Sequence, residues 1–327
     1  MLSQNNSNYL LVGARQLGKT AILQALERRY ANDEKAECFY VTFQAQSNLV
    51  KALARVLKMT NPENISLDEL VEHISHREKK AIFLLDEMDK IVEEDTKNDH
   101  LFTSTFRKLS QEGKASFVLT GFSTLYFAVT LEQNSPLLNF GKIIVLEGLE
   151  QEACRELMVE PMKSLGITYE SDEVVERLIE RCGRRANLLA ITCSEIIQSL
   201  DENERVITQN IVDSVVQKID LDRYKLSTWG RISSNVDLNV LDRLIVYLMI
   251  KKESFSLEKI VNELEAIKPT IKIENINQSL KRLVIGYVLV KQEERYQQRI
   301  PLLKEKLMSG LEVQKKGAIK ELLRSEV

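Results

Sequence analysis

Apolar positions follow two different periods in the first half of the chain. "YLLVG" (9–13), "CFYVTF" (38–43), "AIFLLD" (81–86), "SFVLTG" (116–121) and "KIIVLE" (142–147) are near-continuous apolar runs of strand length. That is the pattern of strands covered on both faces. Between them, "KTAILQALERRYA", "SNLVKALARVLKM", "SLDELVEHISHRE" and "HLFTSTFRKLSQEG" space their apolar residues as helices do. Five strands alternating with helices predict an α/β core built on a doubly wound, mainly parallel five-stranded sheet.

Strand signals stop after about residue 148. "EQEACRELMVEPMKSLG", "SDEVVERLIERCG", "RANLLAITCSEIIQSL" and "TQNIVDSVVQKI" read as four amphipathic helices, with "DENERV" (201–206) as a polar connector. A third pattern follows. "LNVLDRLIVYLMIKK", "SLEKIVNELEAI" and "IENINQSLKRLVIGYV" predict three helices, and "YVLVKQEERYQQRIP" predicts two short strands around a turn. Three helices and a small hairpin give the order of a winged helix-turn-helix. The expected division is a core over 1–147, a helical lid over 148–219, a winged-helix domain over 220–308 and a terminal helix over 309–327, interrupted at Gly310.

Composition narrows this little. The 327 residues are 44% hydrophobic and 28% charged, as in soluble globular proteins. With 45 Lys plus Arg against 48 Asp plus Glu, the net charge of -3 argues against a global polyanion-binding surface but leaves room for a local basic patch. Cys38, Cys154, Cys182 and Cys193 form no CxxC pair and read as buried small hydrophobes in a reducing compartment. No apolar run approaches a membrane span and "MLSQNNSNY" lacks the regions of a signal peptide, so a cytoplasmic location is expected.

The chemistry lies in "GARQLGKT", residues 13–20, which satisfies G-x-x-x-x-G-K-[ST] between a strand and a helix. Its glycines let the backbone wrap close to phosphate, and successive N–H groups of Gly13, Ala14, Arg15, Gln16, Leu17, Gly18, Lys19, Thr20 and Ala21 then form an anion nest. The helix that follows aims its partly positive end at the same charge. Lys19 is placed to reach the β and γ phosphates of a nucleotide, and the Thr20 hydroxyl to hold Mg²⁺. "AIFLLDEMDK" delivers Asp86 to the carboxyl edge of the sheet as a Mg²⁺ partner, with Glu87 placed to orient the attacking water. Asp89 reads as a solvated neighbour. At the end of "SFVLTGFS", Thr120 or Ser123 is a candidate sensor of the γ phosphate, against the plainer reading of a strand-end turn.

Phosphate loop, "LLDE" strand, "FVLTG" strand, helical lid and winged helix, in that order, resemble the AAA+/STAND branch of P-loop ATPases. The similarity is to archaeal-type ATPases and, in domain order, to origin-recognition ATPases, over roughly residues 8–305. The resemblance implies a nucleotide clasped between core and lid, and a winged helix swung by the lid. Two departures stand out. Only "MLSQNNSN" precedes the first strand, where relatives carry an adenine-holding segment, often with a "GR" element. "CGRRANLLA" stands where relatives often have Gly-x-Pro at the third lid helix. Arg184 or Arg185 takes a sensing role there, or both are solvated arginines at a helix start. Arg107, on the helix before the fourth strand, is either a catalytic arginine offered to a neighbouring subunit or a surface residue.

Other signals carry less. "TKND" (96–99) matches a guanine-reading pattern but does not end a later strand, so ATP is expected over GTP. His73 and His76 lack a third ligand nearby in sequence. The tyrosine of "RYQQR" can stack on a base or pack under a wing. Asn275, Gln278, Lys281 and Arg282, with Lys272 and Arg299, would form a modest DNA-facing patch, offset by Glu274, Glu293 and Glu294. With no nucleophile–base set or metal cluster, the leading expectation is an ATP-binding and hydrolysing molecular switch with ATP and Mg²⁺ as ligands, coupling nucleotide state to a protein partner or self-assembly. The alternatives are a DNA-binding loader or initiator, and a scaffold that only retains ATP.

Overall fold

The apolar runs of the first half form β1 (Tyr9–Val12), β2 (Ala36–Thr42), β3 (Lys80–Asp86), β4 (Ala115–Gly121) and β5 (Lys142–Val145). They pair in the order β2-β3-β4-β1-β5, every pair parallel. The structure is a computed structural model that describes residues 7–44, 48–220, 229, 230, 233 and 235–327. "MLSQNN", Ser47 at the start of one expected helix, and the first residues of the expected winged-helix domain after Asp220 lie outside the described residues. The chain divides into two compact units between Leu146 and Glu147.

In the first unit the helices are α1 (Lys19–Tyr30), α2 (Leu49–Val56), α3 (Leu67–Ser75), α4 (Asp89–Thr96), α5 (Leu101–Gln111) and α6 (Ser123–Thr130). Strand alternation sorts the core into two faces. Leu10, Val12, Phe39, Phe83, Leu85, Phe117 and Leu119 pack with α2, α3, α5 and α6. Leu11, Ile82, Leu84 and Val118 pack on the other side with Leu23 and Tyr30 of α1. Phe39, Phe83 and Phe117 sit in register on adjacent strands with ring centroids 5.6 and 5.5 Å apart. This aromatic row fixes the register of the strand that carries Asp86.

The second unit opens with α7 (Gln151–Ser164), α8 (Asp172–Arg181), α9 (Ala186–Ser199) and α10 (Gln209–Lys218). The expectation that strands stop after about residue 148 needs correction. β6 (Thr168–Tyr169) and β7 (Val206–Ile207) pair in parallel, so the end of the "DENERV" connector is a strand. Two-residue strands are too short to show a period, which is why the sequence hid them.

Beyond them lie α11 (Val236–Met249), β8 (Phe255–Ser256), α12 (Leu257–Glu265), α13 (Ile273–Ile285), β9 (Leu289–Gln292), β10 (Arg295–Gln298), α14 (Pro301–Met308) and α15 (Leu311–Arg324). The sheet order is β8-β10-β9, with helix-strand-helix-helix-strand-strand connectivity, the order expected of a winged helix-turn-helix. The terminal residues are no loose tail. Leu311, Ala318 and Leu322 of α15 are buried, Lys251 pairs with Glu312 at 2.6 Å, and Arg243 pairs with Glu321 on the flank of α11.

Candidate nucleotide-phosphate site

Residues 13–18 turn from β1 into α1, and the turn needs glycine for a conformational reason. Gly18, the N-cap of α1, sits at φ 93°, in the left-handed region that side chains disfavour. Gln16 is also left-handed, at φ 63°. Gly13 N donates to Gly121 O at 3.3 Å, so the loop leaves the sheet beside the end of β4.

Lys19 is buried and folded back on this loop, its Nζ donating to Gly13 O at 2.8 Å and Ala14 O at 2.9 Å. Burial lowers the proton affinity of the amine, while Glu87, Asp89 and Asp86 raise it. Thr20 Oγ1 donates to Asp86 Oδ2 at 2.7 Å. Two residues 66 positions apart in sequence are thereby joined across the sheet edge.

Asp86 is 1% exposed and held by three hydroxyls. Besides Thr20, Tyr40 Oη donates to Oδ2 at 3.1 Å and Thr120 Oγ1 donates to Oδ1. Thr120, a sensor candidate from sequence, is fully buried and also accepts from Glu87 N at 3.2 Å. Its hydroxyl thus orients Asp86 and the chain at Glu87. Glu87 itself is left-handed at φ 60°, a conformation costing about 1–3 kcal/mol that surrounding bonds must enforce. Met88 N completes the turn by donating to Thr120 O at 2.8 Å. Ser123 is the first residue of α6, just beyond β4.

Tyr40 and Asp89 escaped the sequence reading. Tyr40 hides in an apolar run; its signal is a hydroxyl near the carboxyl end of the strand beside β3. Asp89 is no solvated neighbour: its carboxylate accepts from Phe122 N at 2.6 Å and Leu125 N at 3.1 Å. Its signal is the spacing "DEMD", which puts it in the first turn of a helix.

Several candidate side chains are engaged within the chain. Arg107 does not stand free as a finger, because Nε donates to Pro136 O at 2.7 Å and Nη2 to Leu138 O. Arg282 cannot face nucleic acid. It is buried in α13 and forks onto Asp242 of α11, with bonds of 3.0 and 2.9 Å, and onto Ser279 Oγ at 2.7 Å. Arg299 lies 4.0 Å from the Tyr287 ring centroid and pairs with Glu147 at 2.9 Å. Tyr296 of "RYQQR" is buried, so it packs rather than stacks on a base. Arg185 is buried and its Nε donates to Asn187 Oδ1 at 2.9 Å; burial pushes its pKa down to about 10. Arg184 is half-buried and left-handed at φ 56°. His73 meets Arg77 Nη1 at 3.3 Å, and no His, Cys, Asp and Glu cluster fit for a metal exists among the described residues. Among the described residues, no helix is long and apolar enough to cross a membrane.

Comparison with known proteins now adds to this geometry. Residues 3–127 match the model of an AAA domain. A solved Walker-type ATPase of Pyrococcus abyssi is 15% identical, with a TM-score of 0.63 covering 93% of this chain and 91% of its own. Aeropyrum pernix Orc1, solved in complex with DNA, is 18% identical over 96% of this chain and 86% of its own, at a TM-score of 0.47. Cdc6p from Pyrobaculum aerophilum is 16% identical over 98% and 90%, at 0.46. The likeness to the Pyrococcus abyssi protein is one of fold. No curated protein matches the chain. Parallel sheet and phosphate loop give the first unit the fold of a P-loop NTPase, and most of that unit is similar to an AAA domain.

Proposed function

We propose that the chain is an ATP-binding and hydrolysing molecular switch of the AAA+/STAND type. Nucleotide state sets the arrangement of the helical lid and winged-helix segments, and through it assembly with a protein partner or another copy. The observation that carries this reading is the convergence of loop, Asp86 and Glu87 at one sheet edge, with Thr20 Oγ1 2.7 Å from Asp86 Oδ2.

In this reading the loop N–H groups and the start of α1 bind the phosphates. Lys19 exchanges the carbonyls of Gly13 and Ala14 for phosphate oxygens, a move its flexible stem allows. Thr20 and Asp86 would hold Mg²⁺; their oxygen donors suit a hard divalent cation. Bound there, the metal supplies neutralisation of phosphate charge. Glu87 polarises the attacking water, and Tyr40 and Thr120 keep Asp86 in place. Ser123, Arg184 and Arg185 are the sensor candidates. The DNA-loader reading is weakened, since Arg282 and Arg299 are committed within the chain and leave Lys272, Asn275, Gln278 and Lys281 on α13 and its approach.

Phosphate release from ATP, with and without Mg²⁺, tests the proposal on wild type, Lys19→Ala and Glu87→Gln. Expected are Mg²⁺-dependent release by wild type and loss in both variants. Glu87→Gln should still retain nucleotide, with a rate lower by about a hundredfold or more. ATP retained by wild type without release would replace the switch by the scaffold.

A further inference from the structure

α6 begins without a capping side chain of its own. Its N-cap is Phe122, which offers no side-chain oxygen. Such N–H groups are normally satisfied by Ser, Thr, Asp or Asn at the N-cap itself. Here the oxygen comes from Asp89, the first residue of α4, 33 positions earlier: Oδ2 accepts from Phe122 N at 2.6 Å and Oδ1 from Leu125 N at 3.1 Å. Space at the junction is tight. A Cβ on Gly121 would lie 3.0 Å from Asp89 Oδ2 and 2.8 Å from Leu125 Cβ. The same two segments are also joined by Thr120 Oγ1 to Asp86 Oδ1, Glu87 N to Thr120 Oγ1 and Met88 N to Thr120 O.

Resting on the ATPase reading above, we propose that Asp89 is a positioning residue for hydrolysis. It straps the β4–α6 junction, flanked by Thr120 in β4 and Ser123 in α6, to the segment that carries Asp86 and Glu87. Glu87 holds a left-handed conformation that the chain does not favour, so its direction depends on bonds from both sides. One carboxylate with two oxygens fixes two N–H groups in set directions, and so fixes α6 relative to Glu87. α6 itself is anchored independently, since Leu125, Ala128 and Val129 are buried. Loss of the strap therefore leaves the element in place and costs the registry between the two groups of site residues.

A plain cap would stabilise α6 and do nothing more. The two roles part when the cap is moved. Asp89→Asn keeps the shape and one acceptor but loses the charge and the second acceptor; Asp89→Ala removes the cap; Phe122→Ser added to Asp89→Ala supplies a capping hydroxyl from the N-cap itself. Steady-state hydrolysis, ADP affinity and thermal midpoint are measured on the full chain for all three and wild type. Expected for Asp89→Asn is a kcat lower by about tenfold or more, with ADP affinity within about threefold of wild type. The Asp89→Ala, Phe122→Ser double variant should regain midpoint over Asp89→Ala but not kcat. A kcat for Asp89→Asn within about threefold of wild type, or a rate that returns with the capping serine, overturns the strap. Wild type that binds ADP without turning over ATP removes the ATPase reading and the strap together; wild-type turnover with unaffected variants removes the strap alone.

Discussion

Asp86 works in the proposed site through the groups that hold it. A buried carboxylate needs its oxygens satisfied, and Thr20, Tyr40 and Thr120 supply three hydroxyl donors. Hydrogen bonds to charged groups contribute about 1.5–3 kcal/mol each. Tyr40→Phe removes one while keeping the ring. It should lower kcat/KM by about tenfold, raise the Mg²⁺ requirement and lower the thermal midpoint by a few degrees. A Mg²⁺ titration of hydrolysis in both proteins checks this. Unchanged Mg²⁺ dependence would show that Asp86 is held well enough without Tyr40. The residues of the loop and Asp86 were legible because their spacing is a property of the chain. Tyr40 was not, because its role exists only once β2 lies beside β3.

At the scale of elements, local signals and cross-chain bonds divide the work. Ser66 and Glu69 form a complete capping box at α3, and Ser66's backbone and side-chain donors hold the Glu69 carboxyl below its usual range. The sign follows: a depressed carboxyl contributes its stability above the unfolded value of about 4.3 and loses it as pH falls further. The thermal midpoint of wild type should therefore exceed that of Glu69→Gln at neutral pH, and the gap should narrow in acid. A gap independent of pH would mean that the charge of Glu69 plays no part.

The Arg282–Asp242 pair joins α11 to α13 in a buried setting. Breaking such a pair costs about 3–5 kcal/mol, whereas replacing both partners by apolar groups is often neutral. Arg282→Ala should thus be far more damaging than Arg282→Met combined with Asp242→Leu, as read by denaturant midpoints. The five strands of the first sheet and α1, α2, α3 and α5 were legible from period, to within a few residues at their ends, whereas the short α4, α6, β6, β7 and β8 were not. Arg282 was misread because "QSLKRL" has the spacing of a surface basic helix face, and only the packed Asp242 reveals which way the arginine turns.

For the whole molecule, the order of the main secondary-structure elements was legible and the coupling between them was not. The second unit has its own ties: Tyr287 Oη donates to Gly183 O at 2.8 Å, and Arg181 reaches both Asp213 at 2.6 Å and Glu305 at 2.8 Å. These bonds link α8 to α10 and α14 and fasten Tyr287, which follows the C-cap of α13, to the turn that carries Arg184. The proposed switch requires the two states to bind ATP with different affinity, since a ligand with equal affinity for both shifts nothing.

The direct test of that claim is molecular mass by light scattering, with ADP and with a non-hydrolysable ATP analogue, for wild type and Lys19→Ala. The account predicts a larger complex with the ATP analogue alone, absent in Lys19→Ala. An unchanged mass for wild type in both nucleotides would contradict ATP-driven self-assembly by this chain.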